Sequence, residues 1–187
     1  MLIEHGFVQE QGILQRAIDE TNENIFFLCV AVTNNEQTAL HNNFLSEFWK
    51  EDYSDPSQPV ASRIPRGQPR RSKIRAFLNR VFGQPNPSGA DAVGRTISEM
   101  YSGFVHGAAP HILELFDERS LKFSLSGIRH SVRHIDYVLD AQNAYYRSLH
   151  SGVMVSKALG FADVLADVTI ALDEFRSQIG LENLEKQ

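Results

Sequence analysis

Apolar residues recur at intervals of three and four along most of this 187-residue chain. That spacing places apolar side chains on one face of an α-helix, so it limits the fold to helices that pack through such faces. It predicts helices over Glu10–Val32, Gln37–Lys50, Arg71–Phe82, Ser88 or Asp91 to Gly107, His111–Phe116, Gly127–Leu159 and Phe161–Ile179. We therefore expect an all-α protein.

Two stretches lack the helical spacing. Glu51–Pro69 contains four prolines, which forbid a continuous helix. Between Ser120 and Ser126, apolar and polar residues alternate as in a strand, but no partner strand is evident, so we expect an extended connection. The resulting prediction is a single all-α domain over 1–187, a bundle of five to six helices with one long Pro-rich basic loop over 51–69 and a frayed tail over 181–187.

Composition favours a soluble cytoplasmic protein. The longest apolar run, Ile25–Val32, is far shorter than the ~20 residues that span a bilayer, and no secretory signal is visible, so we expect no membrane association. The only cysteine, Cys29, lies inside that run and cannot form an internal disulfide.

Positive charge is concentrated in one segment. Seven basic residues and no acidic ones lie between Pro56 and Ala90, although the whole chain has a net charge of −5. Five of them are candidate contacts to an RNA backbone: Arg66, Arg70, Arg71, Lys73 and Arg75. The alternative is a solvated loop and helix face that pairs with acidic neighbours. The sequence leaves both interpretations open.

Four of the seven histidines lie between Tyr101 and His134. The run from Arg129 to His134, RHSVRH, has an arginine, a polar residue, three further residues and a histidine. A guanidinium presents two parallel donors to a phosphate, and an imidazole can take up and return a proton near neutral pH. These are the groups that metal-independent RNA cleavage needs.

The spacing of this run resembles the signature of the HEPN superfamily, helical-bundle proteins that include metal-independent RNA-cleaving toxins and defence factors. The resemblance implies that Arg129 holds the scissile phosphate, that His134 transfers the proton at the ribose 2′-hydroxyl, and that His130 is the polar residue after the arginine. It also implies a homodimer with the site at the dimer interface, and an antitoxin or other protein partner.

A second stretch competes for the site. The run Tyr101–Gly107 reads YSGFVHG. It resembles the corresponding run in uncharacterised bacterial helical proteins that are loosely related to the same superfamily. There the family histidine corresponds to His106, whereas Tyr101 replaces the arginine. A phenol cannot neutralise a phosphate charge, so this resemblance implies a degenerate relative that binds RNA without cutting it. We therefore take His106 as a third catalytic candidate and Tyr101 and His130 as substrate contacts.

Two further hypotheses remain open. His130 and His134 are four residues apart, a spacing that places both rings on one helix face and suits a helical metal site. Otherwise the histidines are structural, and the chain is a non-catalytic helical interaction module. Because no cofactor motif is visible, our expectation is an RNA-directed protein with no cofactor.

Overall fold

The computed structural model describes residues 2–129, 131 and 133–180. A short 3-10 turn over Ile3–His5 precedes the first long helix. The α-helices are α1 (Val8–Thr33), α2 (Ala39–Phe48), α3 (Arg71–Val81), α4 (Pro87–Val105), α5 (Ala109–Leu113), α6 (His134–Leu159) and α7 (Ala162–Gln178). Two short strands, β1 (Phe116–Asp117) and β2 (Lys122–Phe123), pair antiparallel between α5 and α6.

Helix α1 is the centre of the packing. It runs parallel to α6, and Asn22 on α1 joins the two helices through hydrogen bonds with Ser148 and Ser151. It runs antiparallel to α4, where Gly12 leaves room for the ring of Phe104. Helix α3 also packs on α1, and α7 packs on α6. Helix α1 therefore contacts α2, α3, α4 and α6.

The main apolar core lies at the C-terminal half of α1. Its buried members come from α1, α2 and α3: Phe27, Val30, Phe44, Ile74, Phe77 and Leu78. The ring of His41 stacks on Phe27 with centroids 3.9 Å apart. His41 Nε2–H donates to the Phe27 carbonyl, while Nδ1 accepts from the Thr38 backbone N–H. Burial lowers the pKa of His41, so the core contains a neutral, fully hydrogen-bonded imidazole.

The predicted all-α class is confirmed, with seven α-helices in the described residues where we expected five to six. Two local predictions were wrong. The extended segment after Ser120 does have a partner, because β2 pairs with β1. The helix expected from Gly127 begins only at His134, because Gly127 adopts a φ of 88° and the following residues contact the N-terminal turn. The predicted tail over 181–187 lies outside the described residues.

The Pro-rich segment over 51–69 contains no helix, and one isolated β-bridge joins Tyr53 to Arg63. Throughout the part of the chain that the structure describes, every helix is too short or too polar to cross a lipid bilayer.

Replacing Phe27 with alanine should lower the free energy of unfolding by about 3–5 kcal/mol, because Phe27 is 0% exposed and its removal leaves a cavity beside His41. Phe48→Ala is the matched control, since Phe48 is 55% exposed. Urea denaturation measures both variants. Equal losses in the two variants would contradict the placement of the core.

Candidate functional site

The segment before α6 is held by the N-terminal turn rather than by helical hydrogen bonds. The backbone N–H of Ile128 donates to the Gly6 carbonyl at 2.9 Å. Gly6 and Gly127 both have a left-handed backbone, with φ of 76° and 88°. Glycine adopts this conformation without steric cost, which lets the two backbones meet.

The contact is too close for any side chain at these two positions. A Cβ atom on Gly6 would lie 2.3 Å from the backbone nitrogen of Arg129. A Cβ atom on Gly127 would lie 2.5 Å from the carbonyl oxygen of His5. The two glycines therefore bring His5 and Arg129, which are distant in sequence, to the same end of the bundle.

An open groove of about 760 Å³ lies at this contact, and we call it the N-terminal groove. Two side chains in its wall carry or can carry positive charge: His5 and Arg129, both exposed. Serine hydroxyls and two carboxylates supply hydrogen-bonding groups, and two phenylalanine rings supply apolar surface. The full lining is His5, Phe7, Glu114, Leu115, Phe116, Asp117, Ser124, Ser126, Gly127, Ile128, Arg129 and Ser131.

His134 lies beside this groove but does not line it. Its Nε2–H donates to the carbonyl of Ile3, so the half-buried ring holds the turn that carries His5. His134 is also the first residue of α6. The contact makes it a positioning residue for the N-terminal turn, and only its Nδ1 is left for proton transfer.

Glu114 is fixed by two neighbours from the start of α6. Arg133 Nη1 donates to it at 2.8 Å, and the hydroxyl of Tyr137 donates to its other oxygen. Burial and the Glu114 carboxylate both raise the pKa of Tyr137, so this phenol stays protonated at neutral pH. The Glu114 carboxylate, which lines the groove, is therefore held by two side chains.

His106 is exposed and follows the last residue of α4. It is not among the residues that line the N-terminal groove. The ring of Phe104, two residues earlier, contacts Tyr137 on α6, with centroids 6.1 Å apart. The C-terminal end of α4 and the start of α6 are therefore adjacent, which places His106 and His134 at the same end of the bundle.

Tyr101 lies in the interior, with 4% of its surface exposed. Its hydroxyl is hydrogen-bonded to Asp140 on α6, and burial raises the pKa of both groups. Tyr101 does not line the N-terminal groove, and its predicted role as a substrate contact stays a prediction. The side chain of Tyr101 lines a second cavity, between α1, α3, α4 and α6, which we call the interior cavity.

Arg71 and Arg75 also line the interior cavity. Arg71 Nη1 donates a hydrogen bond to Asn24 Oδ1 at 2.6 Å, and Arg75 forms ion pairs with Glu23 and Asp91. These two arginines therefore follow the alternative interpretation of the basic segment, in which its charges pair with acidic neighbours.

Three other predicted RNA contacts are at the surface. Arg66 pairs with Asp52 at 2.9 Å and donates to the Lys50 carbonyl. Arg70 and Lys73 are exposed. His130 lies outside the described residues, so its predicted roles as a substrate contact or metal ligand stay predictions. Within the described ranges, no three His, Cys, Asp or Glu side chains form a group that could hold a metal ion.

His5 is the groove residue that sequence reasoning missed. It is more than 120 positions from Arg129, and no spacing rule links the two residues. The one available signal is Gly6, a glycine at the end of a short turn just before a long helix.

Comparison with known proteins gives no relative for this chain: no family model, no curated protein and no solved structure matches it. The HEPN resemblance therefore stays a prediction.

Gly6→Ala should destabilise the protein by at least about 2 kcal/mol, because it combines a left-handed backbone with a steric clash at Arg129. Gly83→Ala is the matched control. Gly83 also has a positive φ, but a Cβ atom added there would have no neighbour within 4 Å, so this variant should lose only about 1 kcal/mol. Urea denaturation of the two variants compares these costs. Equal costs would mean that the N-terminal turn does not pack on the Arg129 segment.

The interior carboxylates predict an unusual pH dependence of stability. Burial raises the pKa of Asp19, Glu23 and Asp140. A raised folded-state pKa contributes stability below the unfolded-state value, and that contribution is lost as the pH rises through the folded-state value. The charge on Glu23 should therefore cost stability at neutral pH and not at about pH 4.

Glu23→Gln removes that charge, so the variant should gain stability relative to the parent between about pH 4 and pH 7. Glu10→Gln, on the exposed side of the same helix, should show no such gain. Thermal unfolding of the three proteins at both pH values measures the difference. If Glu23→Gln loses stability relative to the parent over this range, attraction to Arg71 and Arg75 outweighs the burial of the carboxylate.

Proposed function

We propose that this protein binds single-stranded RNA in the N-terminal groove and cleaves it without a metal ion. The observation that supports the proposal is that Arg129 and the His5 imidazole line the same open groove. A guanidinium can neutralise a phosphate, and an imidazole can act as a general base. The resemblance of the Arg129–His134 run to the HEPN signature favours the same class of reaction.

In the proposed reaction the groove supplies the phosphate-binding group and the base, and solvent water supplies the proton for the leaving group. Arg129 binds the non-bridging oxygens of the scissile phosphate through its forked donors. The His5 imidazole accepts the proton of the ribose 2′-hydroxyl, the 2′-oxygen attacks phosphorus, and the bond to the 5′-oxygen breaks. The leaving 5′-oxygen takes a proton from solvent water, and the His5 imidazolium gives its proton back to solvent, so the products are a 2′,3′-cyclic phosphate and a 5′-hydroxyl end.

The neighbouring residues have supporting roles in this proposal. Ser126 and Ser131 offer hydroxyl donors to the phosphate, and Phe7 and Phe116 offer apolar surface to a base. His134 acts through the N-terminal turn that it holds. Arg70, just before α3, and Lys73, in α3, are both exposed, and they bind the phosphate backbone further along the RNA.

The test is incubation of the purified protein with a fluorescent single-stranded RNA in chelator. We expect cleavage to a 2′,3′-cyclic phosphate, with a rate about 10²–10⁴-fold lower in His5→Ala. Arg129→Ala should weaken binding and lower the slope of log affinity against log salt by about one. Arg119→Ala is the matched control, since Arg119 is exposed in the nearby β-hairpin but does not line the groove.

Three results would contradict the proposal. These are cleavage that survives His5→Ala, equal effects of Arg119→Ala and Arg129→Ala, and no RNA binding at low salt. Binding without cleavage that still depends on Arg129 would support the degenerate, RNA-binding form of the proposal and exclude the enzyme.

The second candidate is an interaction module that forms a homodimer through the first turns of α6. Ile135 and Leu139 are four residues apart on one helix face and are 58% and 51% exposed. In this candidate, these two neighbouring apolar side chains form the centre of the dimer contact. Light scattering should give a dimer for the parent and a monomer for Leu139→Arg, with Leu159→Arg, at the other end of α6, as control. A monomeric parent protein would exclude this candidate.

A further inference from the structure

The interior cavity is separate from the N-terminal groove. It has a volume of about 280 Å³, and its lining shares no residue with that of the groove. An apolar protein cavity of ~150 Å³ is large enough to take up benzene. The interior cavity therefore has room for about two rings, far more than the voids that ordinary side-chain packing leaves.

Apolar atoms form most of the surface that faces this cavity. The apolar side chains come from three helices: Phe26 from α1, Leu78 and Phe82 from α3 and its C-terminal end, and Ile97 from α4. The rings of Phe26 and Phe82 meet edge to face, with centroids 6.0 Å apart. A ligand in the cavity would bury apolar surface against these side chains, and such burial is the main source of affinity in pockets of this kind.

The charges around the cavity are nearly balanced. The lining contains four arginines and three carboxylates, and Asp91, outside the lining, adds a carboxylate 3.5 Å from Arg75. These charged groups lie beside one another in ion pairs, of which the shortest joins Arg147 to Asp19 at 2.7 Å. The cavity therefore offers no large excess of one charge to attract a ligand of the opposite charge.

Many of the charged atoms are also out of reach of a ligand in the cavity. Nε and Nη1 of Arg75 and both carboxylate oxygens of Asp19 are shielded from solvent. Asp140, which does not line the cavity, is hydrogen-bonded to Tyr101, and burial raises the pKa of its carboxyl group. A charged ligand would lose its hydration here and meet groups of both signs, so the wall favours an uncharged ligand.

Ser98 supplies a polar contact for such a ligand. It lines the cavity from α4, and its hydroxyl group makes no hydrogen bond to any residue that the structure describes. By contrast, Asn22, another uncharged polar residue of the lining, is already hydrogen-bonded to Ser148 and Ser151. The Ser98 hydroxyl can therefore donate a hydrogen bond to a ligand or accept one from it.

We propose that the interior cavity binds an uncharged small molecule that has an apolar body of about two rings and one hydrogen-bonding group. The apolar body packs against Phe26, Phe82 and Ile97, and the hydrogen-bonding group contacts the Ser98 hydroxyl. The proposal does not depend on RNA binding in the N-terminal groove.

Isothermal titration at neutral pH tests the proposal with three probes of similar size that share one bicyclic ring system. The probes are tryptophol, which is uncharged, indole-3-acetate, which is anionic, and tryptamine, which is cationic. We expect one molecule of tryptophol to bind per chain. Each charged probe should bind at least about tenfold more weakly, because its charged group loses hydration without gaining a free partner.

Variants of Ser98 locate the ligand. Ser98→Leu fills part of the cavity and should abolish the binding of tryptophol. Thr96→Leu is the matched control, since it places the same side chain at an exposed position of α4 and should leave binding unchanged. Ser98→Ala keeps the space and removes only the hydroxyl group, so it should weaken binding roughly two- to tenfold.

A variant of the apolar wall provides a second test. Phe82→Ala removes one of the two rings that meet in the wall, so it should weaken tryptophol about tenfold. Phe82 is 50% exposed, so this change leaves the buried core intact. Phe48→Ala is the control, because Phe48 is similarly exposed and does not line the cavity. Far-UV circular dichroism verifies that each variant is folded, and Phe82→Ala decides the test if Ser98→Leu does not fold.

Three results would overturn the proposal. No binding of tryptophol to the parent protein would exclude the site, and tighter binding of either charged probe would assign the cavity to charged ligands. Binding of tryptophol that survives Phe82→Ala and a folded Ser98→Leu would place the molecule elsewhere. Neither His5 nor Arg129 is altered in this experiment, so its result is separate from that of the RNA test.

Discussion

The hydrogen bond from the Ile128 N–H to the Gly6 carbonyl is the contact on which the candidate site depends. It joins the first residues of the chain to the segment before α6, and it requires glycine at both Gly6 and Gly127. Without this contact, His5 and Arg129 would belong to two unrelated loops. His134 reinforces it through the Ile3 carbonyl. The site therefore forms because two backbone segments meet closely, and the apolar spacing of the helices does not determine it.

The interior of the bundle combines an apolar core with a charged cavity. At one half of α1, Phe27 and a neutral His41 pack in a core where both ring nitrogens of the imidazole are hydrogen-bonded. Nearer the middle of the helix, Asp19 and Glu23 are half-buried beside arginines, and desolvation raises the pKa of both carboxyl groups. Buried ion pairs of this kind contribute little net stability. Perturbed carboxylates beside a cavity are instead typical of functional sites.

The helices could be predicted from the sequence because their apolar spacing is local information. The bounds of α3, Arg71–Val81, differ from the prediction by one residue. The start of α6 could not be predicted, since it depends on a contact with Gly6, more than 100 residues away. The roles of His41 and His5 could not be predicted for the same reason. The stacking of His41 on Phe27 and the groove that His5 shares with Arg129 both depend on tertiary contacts. The apolar spacing also did not predict that Trp49, at the end of α2, is 76% exposed.

The most direct measurement is histidine NMR during titration with a non-cleavable oligonucleotide in which hydrogen replaces each 2′-hydroxyl. We expect that the ring signals of His5 shift on binding, that those of the exposed His106 shift less, and that Arg129→Ala needs a higher oligonucleotide concentration to give the same shifts. Signals of His106 that shift while those of His5 stay fixed would contradict this, because the nucleic acid would then bind outside the groove that Gly6 and Gly127 create.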